Sequence, residues 1–189
     1  MTIFDYVTAT ILIILGLGIT ELLNDAIGLF RDRKSRPAEW ISLAWAGIIF
    51  SFQMQFIWAI YELDALVDTW TAFKFMVALI LALLLFAAGA LIIPRASPDG
   101  HWDPWQRFLE NGRWSLIALA SYTFIGFFAN VLFFGIGLFE SGNWSHIILG
   151  SLLIALFFLR VRKHWTIATL IVASYSAYQI VILSPSAYS

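Results

Sequence analysis

The chain has 189 residues, 61% of them hydrophobic and 12% charged, with a net charge of −1 and no cysteine. A soluble domain carries about 25% charged residues, so this composition and a mean hydropathy of +0.84 indicate an integral membrane protein whose first partner is the lipid bilayer. The small net charge argues against a nucleic-acid partner. The absence of cysteine excludes disulfides, iron–sulfur clusters and thiolate metal sites.

The first apolar run covers residues 6–30 and is long enough to span a bilayer, which takes about 20 residues. Three polar residues interrupt it near its end, namely Glu21, Asn24 and Asp25. An ionisable side chain in hydrocarbon costs roughly 2.5–3.5 kcal/mol on insertion scales, so it normally faces protein or water. We therefore expect this helix to be central, with its polar side turned inward. No Lys or Arg precedes the run, so we expect no cleavable signal peptide.

Small and polar residues recur every four positions along the same run, at Gly16, Thr20, Asn24 and Gly28. This spacing places them on one line of a helix, and small residues allow another helix to approach closely. The pattern predicts that Gly16, Thr20 and Gly28 form a helix-packing face.

Five further apolar runs follow, and the all-α fold predicted is one of six transmembrane helices at approximately 6–30, 40–61, 71–93, 114–139, 144–159 and 165–183. Ten of the eleven basic residues lie in alternate connections, after the first, third and fifth runs: Arg31, Arg33, Lys34, Arg36, Arg95, Arg107, Arg113, Arg160, Arg162 and Lys163. Only Lys74 lies on the other side. Because basic residues accumulate in cytoplasmic loops, we expect both termini to be periplasmic.

Residues typical of helix ends and membrane interfaces mark the boundaries of these runs. A tryptophan opens each run after the first, where an indole ring suits the boundary between hydrocarbon and water: Trp40, Trp70, Trp114, Trp144 and Trp165. We also expect Asn143 to be the N-cap of the fifth helix.

The linker at residues 94–113 contains a helix start of its own. Asp103 is suited to an N-cap, Pro104 to the first turn and Gln106 to the N3 position. Trp102, Trp105 and Leu109 then fall on one face. We expect a short amphipathic helix on the cytoplasmic membrane surface; the alternative is a docking surface for a partner.

An internal repeat is suggested by the tetrapeptide I-G-L-F, which occurs at 27–30 and again at 136–139. Tryptophans open the following runs in the same order in both parts. The landmarks divide a single transmembrane domain, 1–189, into halves at 1–93 and 114–183. Three helices in each half would make the repeats inverted, an architecture found in transporters with a site near the midplane. Aligning the two motifs places Glu21 opposite Asn130.

A polar path through the bundle is predicted from the polar residues that lie inside apolar runs: Glu21, Asn24, Asp25, Gln55, Asn130 and Gln179. The alternative is a set of interhelical hydrogen bonds, each worth about 0.6 kcal/mol in a membrane bundle. For the amides, including Gln53, we favour hydrogen bonds. For Glu21 both interpretations stay open.

Several chemistries are excluded by what the sequence lacks. His101, His146 and His164 fall in predicted loops or helix ends, so a bis-histidine haem or copper site is not expected. No nucleophile elbow, zinc-protease motif or phosphate loop is present. The pattern Asp99-x-His101-x-Asp103 is more typical of a solvated loop than of a metal site. We expect no enzymatic activity, cofactor or metal.

The Trp-rich helices, the basic loop after the first run and the D-P-W stretch at 103–105 resemble small bacterial membrane proteins in general character. The resemblance implies the bacterial cytoplasmic (inner) membrane. Two functions stay open. One is transport or permeation of protons, a small cation or a small solute. The other is a non-catalytic subunit that packs against other membrane proteins, itself, lipid or pigment.

Overall fold

A computed structural model describes residues 2–32, 34, 39–67, 69–94 and 103–183. In these residues the chain is all-helical, as predicted, and its long helices fall on the six apolar runs. The helices are α1 (Ile3–Arg31), α2 (Trp40–Leu66), α3 (Ala72–Ile92), α4 (Pro104–Arg107), α5 (Trp114–Phe134), α6 (Ser141–Phe158) and α7 (Arg162–Leu183), with a π-helical segment, Phe108–Gly112, joining α4 to α5.

Four of the described helices, α1, α2, α3 and α5, are long and apolar enough to cross a membrane. The apolar part of α6, Asn143–Phe158, is shorter. Their outer surfaces carry many large apolar side chains, such as Ile13, Phe128 and Ile148, each more than half exposed. An exposed apolar surface of this kind suits lipid as its solvent, which supports a membrane protein.

Local sequence signals explain several helix ends. The Thr2 side chain accepts a hydrogen bond from the backbone N–H of Asp5, whose carboxylate accepts from the N–H of Thr2, so α1 begins with a capping box. Asp103 caps α4 by accepting from the N–H groups of Trp105 and Gln106, as predicted. The helix then continues with π geometry as far as Gly112. A Cβ at Gly112 would lie 2.7 Å from the Phe108 ring and 2.9 Å from the carbonyl oxygen of Ile92, so the close packing there requires glycine.

The fourth long helix ends earlier than its apolar run. Gly135 follows α5 with φ of +66°, a conformation that glycine adopts without steric cost. The predicted helix over 114–139 is therefore wrong beyond Phe134.

The end of α5 at Phe134 also removes the main support for the internal repeat. The first I-G-L-F lies within α1, whereas the second lies in the loop after Gly135. The two halves also pack differently, since α1 contacts mainly α3 whereas α5 contacts α6 as much as α3. The two tetrapeptides therefore do not mark equivalent positions.

Contacts between helix ends show that the bundle has two distinct ends. At one end the ring of Trp70, between α2 and α3, lies 6.0 Å from Phe4 of α1 and 6.0 Å from Phe133 of α5. At the other end Glu39, before α2, binds Arg162 at the start of α7. We call the first the acidic end, because Glu62, Asp64 and Glu140 lie there, and the second the basic end, which carries Arg113, Arg160 and Arg162.

The inward face of α1 differs from the one predicted. Gly16 and Thr20 are exposed, as is Asn24, and a Cβ placed on Gly16 or Gly28 would meet no atom within 4 Å. The buried face instead consists of the following residues: Val7, Ile11, Leu15, Gly18, Leu22 and Leu29. The four-residue spacing correctly identifies a line of small residues, but the larger apolar side chains determine which line the bundle buries.

The close helix approach is made by Gly18 of α1 and Gly89 of α3. A Cβ on Gly18 would lie 2.9 Å from the amide nitrogen of Gln53 and 3.3 Å from the backbone of Phe86. The fully buried Gln53 donates to the carbonyl of Leu85 across the α2–α3 contact, at 3.3 Å. The expectation that Gln53 forms an interhelical hydrogen bond is confirmed.

Candidate functional site

A cavity of about 180 Å³ lies between α2, α3, α5, α6 and α7. Its lining comes mainly from the C-terminal halves of α2, α5 and α7 and the N-terminal halves of α3 and α6, so most of it lies in the half of the bundle nearer the acidic end. Its polar lining residues are Gln55, Tyr122, Asn130, Ser145, His146, Tyr175 and Gln179. In an otherwise apolar bundle, these groups gather where five helices meet.

Asn130 of α5 is at the centre of a polar cluster with two residues of α6. Its amide nitrogen donates to the Oδ1 of Asn143 at 3.2 Å and lies 3.1 Å from the Nε2 of His146. Donation to both requires an unprotonated Nε2 on His146, with the ring proton on Nδ1. The interhelical hydrogen bond expected of Asn130 is confirmed. Asn130 also lines the cavity, and its side-chain amide carries an acceptor oxygen as well as the donor nitrogen.

Two further amides line the opposite wall. The Nε2 of Gln55 is buried and has no hydrogen-bond partner among the described residues. Gln179 donates to the hydroxyl oxygen of Tyr175 at 3.0 Å, one turn away on the same helix. An unsatisfied buried donor costs about 1–3 kcal/mol, so the wall at Gln55 is suited to a molecule that brings an acceptor.

Aromatic rings form much of the remaining lining. The ring of Tyr122 lies 6.0 Å from Phe52 and 6.0 Å from Phe56, edge to face with both. The lining residues of the cavity include no carboxylate, Lys or Arg. The wall therefore combines apolar rings with neutral donors and acceptors.

The bundle is closed at the basic end by an aromatic cluster, which consists of Trp45, Trp105, Phe108 and Trp165. The ring of Trp165 lies 4.9 Å from Phe108, 6.2 Å from Trp105 and 6.5 Å from Trp45, each in an edge-on arrangement. Trp165 is fully buried and its indole N–H donates to the carbonyl of Leu159, so the prediction that this N–H faces water is wrong. The indole ring is part of the core because α4 and the π-helical segment cover it.

Polar contacts fasten the same end. The indole N–H of Trp45 donates to Thr169 of α7 at 2.9 Å. One guanidinium nitrogen of Arg162 lies 2.9 and 3.1 Å from the two carboxylate oxygens of Glu39, whose side chain is only 5% exposed. These contacts join α2 to α7.

The structure brings three of the six predicted path residues to the cavity, namely Gln55, Asn130 and Gln179. Glu21, Asn24 and Asp25 do not line it, because α1 packs on α2 and α3 and contributes nothing to its wall. Glu21 and Asp25 are half-buried and both have partners within the protein. The hydrogen bonds of Asn130 are to α6 rather than to Glu21.

Sequence reasoning missed two members of the cluster. Asn143 is not the N-cap of α6, because that helix begins at Ser141 after Glu140 and buries Asn143 in its first turn. His146 lies inside α6 rather than at a helix end. The i, i+3 spacing of Asn143 and His146, on a helix joined to α5 by a short loop, was the signal available.

In the described residues no three His, Asp or Glu side chains are grouped closely enough to hold a metal ion. Asp99 and His101 of the D-x-H-x-D pattern, and Trp102 of the amphipathic face, lie outside the described residues. Neither a family model nor a curated protein nor a solved structure matches this chain.

Proposed function

We propose that this chain is a bacterial inner-membrane protein of six transmembrane helices, with both termini periplasmic, that admits a small uncharged polar solute from the acidic end. The observation that carries the proposal is the cavity with its Asn130–Asn143–His146 cluster. A bundle held together by apolar packing has no need to gather seven polar side chains at one cavity, each of which costs free energy if its hydrogen bonds are not made.

The chemistry of the wall narrows the solute class. A permeating cation is normally balanced by a carboxylate or a cage of oxygens, and the lining has no carboxylate. Asn130 offers an acceptor and Gln55 a donor, and aromatic rings surround both. A neutral molecule with at least one donor and one acceptor, such as urea, a small amide or a small polyol, satisfies both groups.

The closed basic end gives the proposal its direction. Solute enters from the acidic end, which the distribution of basic residues makes periplasmic, and passage requires the aromatic cluster at Trp165 to separate. Cysteines placed singly at Lys34 and Glu140 in this cysteine-free chain test the orientation. A membrane-impermeant reagent applied to intact cells should label the Glu140 site; labelling of the Lys34 site instead would reverse the orientation.

Osmotic swelling of proteoliposomes in urea, formamide and glycerol tests the permeation. Wild-type protein should speed swelling with at least one of these solutes. Asn130→Leu should reduce the rate about tenfold, because an unmade hydrogen bond in a dry site costs about 1–3 kcal/mol. Asn24→Leu is the matched control, since it makes the same change on the outer face of α1 and should leave the rate unchanged.

The same assay with a pH-sensitive dye inside the vesicles tests the proton path. Glu21→Gln removes one titratable carboxyl group of α1 at a residue that does not line the cavity. Proton flux that is lost in Glu21→Gln and kept in Asn130→Leu would move the path to α1 and overturn the proposal. If wild-type protein speeds vesicle swelling with none of the three solutes, the proposal is also overturned.

The second candidate function, a membrane subunit, is favoured by the outward face of α1. Gly16, Thr20 and Asn24 are exposed there, so a polar amide lies on the outer surface of the bundle. An amide on a lipid-facing surface gains a hydrogen bond when another helix packs on it. Oxidative cross-linking of Gly16→Cys in native membranes should capture a second copy or another protein under this function, and no adduct should form under the first.

A further inference from the structure

A second open groove lies at the basic end, between α4 with the π-helical segment and the end of α6. Arg113 and Arg160 line it, together with Trp105 and Gln106. It lies at the opposite end of the bundle from the polar cavity and shares no lining residue with it.

Among the described residues, the two arginines of this groove form no ion pair with the two carboxylates that also line it, Asp103 and Glu110. The guanidinium of Arg113 contacts the carbonyl of Phe157 at 3.4 Å and lies 4.9 Å from the Phe157 ring, while its buried Nε has no partner in the described chain. Arg160 is exposed, and the described residues provide no hydrogen bond or ion pair to it. Two arginines therefore face one groove without a carboxylate bound to either.

The two carboxylates that also line the groove are engaged elsewhere. Asp103 accepts from the first N–H groups of α4, at 3.0 and 3.1 Å. Glu110 accepts from Gln106 at 3.2 Å and forms an ion pair with Arg107 at 3.4 Å. These contacts reduce the electrostatic repulsion between the two carboxylates and a bound anion.

Exposed aromatic side chains lie directly beside the two arginines in the chain. Trp114, which follows Arg113, is 51% exposed, and Phe158, two residues before Arg160, is 73% exposed. Both belong to the membrane-facing ends of apolar helices. A ligand that fits the groove and this surface together has an anionic group joined to an apolar tail.

We propose that the groove binds the phosphate of an anionic phospholipid in the leaflet at the basic end, with the acyl chains against Trp114 and Phe158. The planar guanidinium matches a phosphate through paired N–H donors, and basic groups beside a membrane attract anionic head groups. The inference rests on membrane location and on this groove, so it stands or falls separately from solute permeation.

Native mass spectrometry of the full chain in neutral detergent tests the site, with phosphatidylglycerol, phosphatidylcholine and inorganic phosphate as separate probes. Wild-type protein should retain phosphatidylglycerol preferentially. R113Q/R160Q should weaken that binding about tenfold, because two phosphate contacts are lost. The matched control K34Q/K163Q removes two charges at the same end outside the groove and should change binding less than about twofold, since exposed charges are screened.

Three outcomes would overturn the proposal. Equal losses in R113Q/R160Q and K34Q/K163Q would indicate nonspecific charge attraction. Inorganic phosphate that displaces the lipid at equal concentration would make this a free-anion site. Undiminished phosphatidylglycerol binding by R160Q, a single change at an exposed side chain that leaves the half-buried Arg113 in place, would remove Arg160 from the site even if the double variant failed to fold.

Discussion

The two ends of the bundle use polar and aromatic residues in opposite ways. At the basic end, indoles pack into a cluster, and two polar contacts join α2 to α7, Trp45 with Thr169 and Glu39 with Arg162. At the acidic end, amides and rings surround a cavity, and the amide nitrogen of Gln55 has no partner in the described chain. The first arrangement stabilises a contact, and the second leaves groups available to a guest.

This difference teaches that residue type alone does not assign a role in a membrane bundle. Trp144 and Trp165 each lie near the start of a helix, and the sequence pattern predicts the same environment for both. Trp144 is 43% exposed beside the cavity end, whereas Trp165 is fully buried. The segment Pro104–Gly112 buries Trp165, because its Trp105 and Phe108 pack against that ring. Because this segment is distant from Trp165 in the chain, the local sequence does not predict the burial.

The largest effect should come from truncating the buried indole. Trp165→Ala should destabilise the protein by about 3–5 kcal/mol, the cost of a cavity left by a buried Trp. Trp144→Ala, at the other end, should cost less than about 1 kcal/mol because its ring is partly exposed. Thermal unfolding in one detergent, followed by circular dichroism, measures both. Equal losses would mean that the two ends do not differ in packing.

A second pair of variants tests the polar contacts of two glutamates that each precede a helix, one by replacing the partner of Glu39 and one by replacing Glu140. Glu39 is buried and bound to Arg162, whereas Glu140 is exposed and accepts from the N–H of Gly137 at 3.0 Å. Arg162→Gln leaves the Glu39 carboxylate buried without its cation and should cost about 1–3 kcal/mol. Glu140→Gln keeps an acceptor at its position and should change stability by less than about 0.5 kcal/mol.

High salt sharpens this second comparison. Exposed charges are screened within about 8 Å at physiological ionic strength, whereas buried pairs are screened less. The stability difference between wild type and Arg162→Gln should therefore persist in high salt. A difference that disappears there would show that the Glu39–Arg162 contact acts as an ordinary surface pair.

The all-helical fold and its four helices long and apolar enough to cross a membrane were predictable, because hydrophobic runs are local signals. The helix start at Asp103 and the interhelical hydrogen bond of Gln53 were predictable for the same reason, since each depends on one side chain in a known type of helix. Which face of α1 points outward was not predictable. Gly16 and Gly18 are the same residue type, and they differ only in whether another helix packs against them. Likewise, the end of α5 at Gly135 depends on a positive φ that an apolar run conceals.

The candidate site was half predictable. The three predicted amides that line the cavity were marked by their polarity within apolar runs. Glu21 attracted attention for its charge, but α1 lies outside the group of helices that encloses the cavity. His146 was assigned to a helix end, because a boundary error of a few residues at the start of α6 is enough to conceal it.

The smallest expected effects are the losses of protein stability when single polar side chains are replaced. Thr169→Val at the basic end removes the acceptor of the Trp45 hydrogen bond with little change in volume and should cost about 0.6 kcal/mol. Asn130→Leu at the acidic end removes two contacts and should cost about 1 kcal/mol. If Asn130 acts in permeation, Asn130→Leu should lose about tenfold in swelling rate while the protein stays folded. Unfolding measured in the same lipid as the swelling assay makes that comparison direct. If Asn130→Leu were to cost several kcal/mol instead, Asn130 would be an anchor between α5 and α6, and the two ends of the bundle would both be built for stability.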